Sequence, residues 1–455
     1  MPLFNISSHS FKNGLVKRSK AWDAVSIVPP DAPTSVVATD TPSGRAFNNG
    51  RKSIAFSPAT TGRTATSFTV TSSPGSYTAT GASSPIIITG LQSSTQYTYT
   101  VTATNTAGTG SASAASSAVT STTVPQAPTI GTATFASGAT SVTFTAGATG
   151  GSAITGYTAT STSGNTGTGA SSPISVTETV PGTYTYTVTA TNANGTSSAS
   201  SASNSVTATF PPSMTGGTLS SDATYYYRTF TGNGTCAVSN GSITADILTI
   251  AGGGGSSYYN KAGGGGAGGV LYLTSQSLSG SYGVVIGGGG GFSDVGGNGS
   301  NSTFGALATA IGGGKGAYSS TGDSGGSGGG GGLSGNGGAG TAGQGNNGGK
   351  GYYDSETGAN KGGGGGGASA VGGTATAGTS GAGGNGTSAY SSWGAATSTG
   401  QNISGTYWYA GGGAGSPNYN HGNGRASYGG GGSQDVGGGN GGVVIVRYTR
   451  AQVGG

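Results

Sequence analysis

Residues 97–105 read YTYTVTATN, and the same nine residues recur at 184–192. In both copies Tyr, Tyr, Val and Ala alternate with Thr, the period-two pattern of a strand with one buried and one wetted face. Flanking segments repeat with them. DAPTSVVA at 31–38 matches QAPTIGTA at 126–133, and SIAFS (Ser53–Ser57) matches SVTFT (Ser141–Thr145). The repeat of roughly 87 residues predicts two β-sandwiches, at 31–124 and 125–211, each of about seven short strands joined by turns. Residues 212–455 follow another pattern. Apolar strands, YYYRTF (Tyr225–Phe230) and DILTI (Asp246–Ile250) at one end and VVIVRY (Val443–Tyr448) at the other, bracket a series of glycine tracts. A flexible linker needs no closing strands, so this region is predicted to be a bounded domain.

The tracts run from Gly252–Gly255 and Gly263–Gly266 through Gly328–Gly332 and Gly362–Gly367 to Gly429–Gly432. Phosphate-binding GxGxxG spacings occur throughout them, but no βαβ context or Lys-Ser/Thr ending follows any run, so that signal carries no weight. Packed polyproline-II helices of glycine fit better. Such a helix has no internal hydrogen bonds, and without side chains its neighbours can come close enough to supply them. The predicted class is therefore all-β and irregular: two sandwiches, then a glycine-rich domain of packed polyglycine helices.

Composition sharpens this picture. Glycine contributes 101 of 455 residues, charged residues 6% and hydrophobic residues 32%. Disorder normally pairs low hydrophobicity with high charge, and here charge is scarce. The net charge of +5 comes from residues 1–63, which hold eight Lys/Arg against three Asp/Glu. A basic surface over the whole chain is absent, which argues against a nucleic-acid partner. The single cysteine, Cys236, and two histidines, His9 and His421, leave no framework for disulfides and little for a metal centre; no metal or other cofactor is expected. No stretch approaches the ~20 apolar residues of a membrane span, and residues 1–30 carry no apolar run of signal-peptide length. The expectation is an outward-facing protein carried on a virion and released by lysis, without membrane insertion.

The Ala-Pro entries (Ala32–Pro33, Ala127–Pro128), the strands ending in Ala-Thr-Asn, and Gly90–Leu91 followed by Tyr97 resemble the fibronectin type III family and its tyrosine corner. The second copy departs from it, since Val180–Pro181–Gly182 leads into Tyr184 two residues sooner, and Phe56 and Phe144 stand where members usually carry Trp. Residues 212–455, from ILTIAGGGG to GGVVIVRY, resemble the glycine-rich domain of phage virion proteins and the tip adhesins of bacteriophage tail fibres. That resemblance implies a non-enzymatic adhesin whose partners are other virion proteins and a host surface glycan or outer-membrane protein, with homo-oligomers allowed. A structural virion or filament subunit, and a bacterial surface or matrix adhesin, remain as alternatives.

The candidate residues follow. Aromatic side chains on polar loops suit stacking on sugars or proteins, which selects Tyr352, Tyr353, Tyr407, Trp408, Tyr409 and Tyr419 for receptor binding. Lys17, Arg18, Lys20 and Trp22, in the basic arm 1–30, are candidates for virion docking. Asp354 and Glu356 are the one close carboxylate pair of the tip, the minimum a glycosidase would need; no catalytic residue is assigned.

Overall fold

In the computed structural model, which describes residues 28–259, 261–416, 422–423, 426–435 and 437–454, both YTYTVTATN segments are central strands of antiparallel sandwiches. Lys17, Arg18, Lys20, Trp22, Tyr419 and His421 lie outside the described residues. The chain forms two compact units, Met1–Ala208 and Thr209–Gly455.

The first sandwich has strands β1 (Thr34–Asp40), β2 (Gly50–Ser57), β3 (Ser67–Ser73), β4 (Thr78–Gly81), β5 (Ile86–Leu91), β6 (Gln96–Asn105), β7 (Gly108–Thr109) and β8 (Val119–Thr120). One sheet runs β1-β2-β5 and the other β4-β3-β6-β7. The second sandwich has β9 (Thr129–Ala136), β10 (Ala139–Thr145), β11 (Ile154–Ser161), β12 (Thr166–Gly169), β13 (Ile174–Thr177), β14 (Gly182–Tyr184), β15 (Tyr186–Asn192), β16 (Gly195–Thr196) and β17 (Val206–Ala208). Its sheets run β13-β10-β9 and β12-β11-β15-β16, the same order. The inward Tyr, Val and Ala of β6 and β15 are buried, and the alternating Thr face outward. Where the fibronectin pattern has Trp, Phe56 packs on Phe68 at 4.8 Å and Phe144 on Tyr157 at 4.7 Å. Both corner tyrosines are tied to backbone: the Tyr97 hydroxyl accepts the Gln92 N–H at 3.1 Å, and the Tyr184 hydroxyl donates to the Val180 carbonyl at 2.8 Å.

The last edge of each sandwich is built in an unusual way. Gly110, Ser113 and Ser116 donate N–H groups to Ala103, Val101 and Tyr99, while Val101 and Tyr99 donate theirs to the hydroxyls of Ser113 and Ser116. Ser197, Ser200 and Ser203 do the same for Ala190, Val188 and Tyr186. Serines three apart thus supply both partners that an ordinary strand would supply, and they close the stretch of edge beyond the short β7 and β16 pairings. The two sandwiches meet through the loop 41–49 between β1 and β2, far longer than residues 137–138 between β9 and β10. Gly44 donates to Asn194 O, Val124 to Arg45 O, and the Asn192 amide to Thr123 O at 2.9 Å.

The second unit starts with β18 (Ser213–Thr215), β19 (Thr218–Ser221), β20 (Tyr225–Phe230), β21 (Gly234–Ile250), β22 (Val270–Val285), β23 (Ser302–Phe304) and β24 (Ala308–Ala310). After the glycine runs come β25 (Tyr352–Tyr353), β26 (Asn360–Lys361), α1 (Ser391–Thr397), β27 (Gln401–Ile403), β28 (Thr406–Trp408) and β29 (Val443–Thr449). The sheet order is β19-β20-β29-β21-β22-β23-β24, so the closing strand inserts between the opening ones. Pairing of β21 with β22 shifts register between Val238 and Ile243, which divides the pair into two arms. Residues from both arms, such as Cys236, Val284, Ile243 and Val446, then share one core. The opposite face of β21 and β29 (Leu248, Ile250, Val443, Ile445) packs on Trp393, Tyr409 and Ala410. This two-sided burial is why VVIVRY reads as continuously apolar.

Across that second face, Arg447 lies between the rings of Tyr225 and Trp393, 4.5 Å from each, and bonds Asp246 at 2.6 Å. Burial pushes the Asp246 carboxyl up, but Arg447 and the Ser275 N–H outweigh it and hold it below the ordinary value. A depressed carboxyl stabilises the fold above its unfolded pKa of ~3.9, and the contribution is lost as pH falls through the folded value. Asp246→Asn is therefore expected to lower stability at neutral pH and to flatten its fall below about pH 4, measured by urea unfolding of the full chain at a series of pH values.

The glycine runs have a threefold repeat. In the run 262–269, Gly263, Gly266 and Gly269 donate to Ala317, Gly314 and Ile311. Gly264 and Ala267 donate to Gly363 and Gly366, and Gly265 and Gly268 to Gly432 and Gly429. Each neighbour is met again after three residues, the period of a polyproline-II helix. On the accepting side the run takes N–H groups from Gly330 and Ser327, from Gly254 and Ala251, and from Gly413. Six runs thus surround it, parallel and antiparallel together. The residues of Gly263–Gly266 and Gly362–Gly367 have no positive φ, so conformational freedom is not the reason for glycine here. Room is the reason: a methyl on Gly264 would land on the Gly413 carbonyl, and one on Gly365 on the Gly265 carbonyl.

Candidate functional site

Each run crosses from the sheet to a far set of loops and back. Ala251 follows β21 and Gly269 precedes β22, so residues 258–261 lie one run away, about 22–25 Å at 3.1 Å per residue. Hydrogen bonds place the loops 292–296, 318–321, 333–336 and 352–361 at that same far end: Tyr258 N to Ser293 O, Gly332 N to Ser320 O, Gly351 N to Gly335 O and Gly362 N to Ser416 O. The scaffold beneath is backbone bonded to backbone, and the loops carry almost all of its side-chain chemistry.

Four rings from three of these loops meet there. Tyr258 and Tyr259 lie 4.8 Å apart, Tyr258 touches Phe292 edge-on at 6.1 Å, and Tyr259 leans on Tyr318 at 4.9 Å. Exposures are 45%, 42%, 40% and 39% for Tyr258, Tyr259, Phe292 and Tyr318. A continuous aromatic strip on solvent is unusual for a chain with so little apolar material. The Tyr258 hydroxyl is pushed up to about 12 by the Asp294 carboxylate and by Tyr259 beside it, so at neutral pH it is a hydrogen-bond donor.

Beside Tyr259 and Tyr318 opens a groove of about 390 Å³, lined also by Asp294, Lys315, Thr321 and Asp323. Asp323 is oriented from two sides: Lys315 stands 3.9 Å away, and the Asn298 amide donates to it at 3.0 Å. Asn298 Oδ1 in turn accepts the Lys315 N–H at 2.7 Å, which ties the wall to the bundle.

The residues expected from sequence to bind a receptor are divided between the two ends. Tyr352 and Tyr353 form β25, paired with β26 in the far loops, and Tyr353 is exposed. Tyr407 and Trp408 belong to the β27–β28 hairpin at the sheet end, half-buried against α1. Tyr409 is a correction. It is 0% exposed, and its hydroxyl shares a 2.6 Å hydrogen bond with Thr399. It fills the core under α1 and has no face to offer a receptor. Trp393 is buried in the same core, with Tyr227, Tyr272 and Tyr390 around it. Asp354 serves its own turn, accepting from the Glu356 N–H and the Thr357 hydroxyl. These bonds hold its carboxyl below the ordinary range, opposite to what a general acid needs.

Sequence reasoning passed over Tyr258, Tyr259, Phe292 and Tyr318 as a group because their loops are up to sixty residues apart. One signal was present: each directly follows or closely precedes a glycine run, at the turn where the chain reverses.

Residues 228–449 match the family model for a glycine-rich domain. No curated protein matches the chain. Among solved structures, the FN1–FN3 domains of chicken CNTN1 resemble it over 57% of this chain and 93% of that one, at 12% identity and a TM-score of 0.26. The sandwiches stand on their own strand order and cores rather than on so low a score.

Proposed function

We propose that the chain is an adhesin of the bacteriophage tail-fibre type, in which the glycine bundle holds its far loops against a host surface structure. The observation that carries this reading is the exposed four-ring strip on a scaffold of backbone hydrogen bonds. Such a scaffold fixes loop positions without constraining loop sequence, which is what a surface reader requires. The match of residues 228–449 to a glycine-rich domain supports the same reading. In it, the sandwiches act as spacers, the arm 1–30 joins other virion proteins, and several copies per particle multiply weak contacts into avidity.

Binding of the purified full chain to a panel of bacterial strains tests it. Tyr259→Ala with Tyr318→Ala is expected to weaken binding about 100-fold while leaving the unfolding transition in place. Undiminished binding by the double variant overturns the site. Immunogold labelling with antibody against residues 212–455 separates the rival role: label at fibre ends agrees with an adhesin, and label along a filament or over a capsid assigns a structural subunit.

A further inference from the structure

We infer that the groove beside Tyr259 and Tyr318 takes a non-acidic hexopyranose, neutral or amino-substituted, of a surface polysaccharide. The inference rests on the adhesin reading and adds the chemical class of its ligand. One wall is aromatic. The two rings lean together at 40° and offer adjoining faces of the kind that pack on the C–H side of a sugar ring. The rest of the lining is polar: Asp323 only accepts hydrogen bonds, and so does Asp294, which also stands against the Tyr258 hydroxyl. Sugar hydroxyls and amines are the donors such a lining needs. Asp323 is held in place before any ligand arrives, by Lys315 and by the Asn298 amide, so little ordering remains to be done on binding.

Charge excludes the acidic sugars. Among the described residues that line the groove, two carboxylates stand against one lysine, which lies 3.9 Å from Asp323. A uronate or sialate would bring a third negative charge to a lining that is already net negative, and like charges across an interface select against the wrong partner. The volume of about 390 Å³ lies at the small end of the range for small-molecule sites, so a short piece of a glycan fits it better than a folded protein face.

The test is an array of oligosaccharides carrying neutral hexoses, amino-hexoses, uronic acids or sialic acids, probed with the full chain. Expected are signals confined to the non-acidic glycans and reduced about tenfold or more by Tyr318→Ala and by Asp323→Asn. Val295→Arg, at a position 66% exposed on the groove rim and outside the ring contacts, is expected to block the same signals without disturbing the cluster. It serves should Tyr318→Ala fail to fold. Preference for acidic glycans, or full signal from Tyr318→Ala and Val295→Arg, overturns the inference. Attachment to bacteria with no array glycan bound overturns the sugar class and leaves the adhesin standing. Loss of both overturns both.

Discussion

Gly365→Ala is expected to destabilise the second unit by about 3 kcal/mol or more, because the added methyl meets the Gly265 carbonyl oxygen and both belong to backbone that is bonded on all sides. A side-chain neighbour could rotate away; a carbonyl held in the array cannot. For a unit of this size that corresponds to a fall in melting temperature of roughly 6–12 °C, read by calorimetry on the full chain. The control lies in another run. Gly288 has no positive φ and nothing within 4 Å of a built methyl, so Gly288→Ala is expected to be neutral or to stabilise by about 0.4–1 kcal/mol through the unfolded chain. If the two variants melt alike, close approach is not what glycine provides, and the packing scheme drawn from the threefold hydrogen bonds fails. The contrast also tests why so much glycine is tolerable. Ordering each residue costs about 1–2 kcal/mol, and a network in which nearly every N–H finds a carbonyl is what offsets it.

Much of the fold was legible because side-chain alternation survives in YTYTVTATN and VVIVRY, where burial on one face or on both leaves a distinct pattern. The bundle was legible as a type but not as a route. Identical glycines carry no register, and the path of each run is set by backbone bonds that no side chain reports. That is why Tyr259 and Tyr318 meet across 58 intervening positions unannounced. Tyr407, Trp408 and Tyr409 were grouped as one loop cluster, yet Tyr409 begins the passage back into the bundle and turns inward to Thr399. The serine edge left a trace that could have been read. Ser197, Ser200 and Ser203 keep a period of three beside a strand of period two, and low hydrophobicity there reflects hydroxyls closing a sheet rather than a loop.

The second large effect is expected in the first sandwich, where Lys52 is fully buried, donates to the Thr120 carbonyl at 2.7 Å and is ion-paired with Asp40. Asp40 also accepts from the Thr122 N–H and hydroxyl, so the pair ties β1 and β2 to the segment that leaves β8. In the second sandwich the matching position is Thr140, which accepts from the Tyr186 hydroxyl, and the buried charge nearby is instead an anion, Glu178. The fold therefore does not require a lysine, but once present the lysine requires its partner. Asp40→Asn keeps an acceptor for Thr122 and removes only the charge. It is expected to cost about 3 kcal/mol near neutral pH, the low end for breaking a buried pair because Asp40 is partly exposed. That corresponds to about 2 M in the urea midpoint of this sandwich. Burial lowers the Lys52 pKa and Asp40 opposes it, so the variant lowers it further. Between that folded value and the unfolded ~10.4, the unfolded chain binds more protons than the folded one, and stability must rise with pH. The deficit of Asp40→Asn should accordingly shrink as pH is raised toward 10, and Lys52→Met combined with Asp40→Asn should recover most of it and lose the pH dependence. A deficit that stays constant with pH, or a double variant no more stable than the single, would mean that the buried ammonium is not what Asp40 holds.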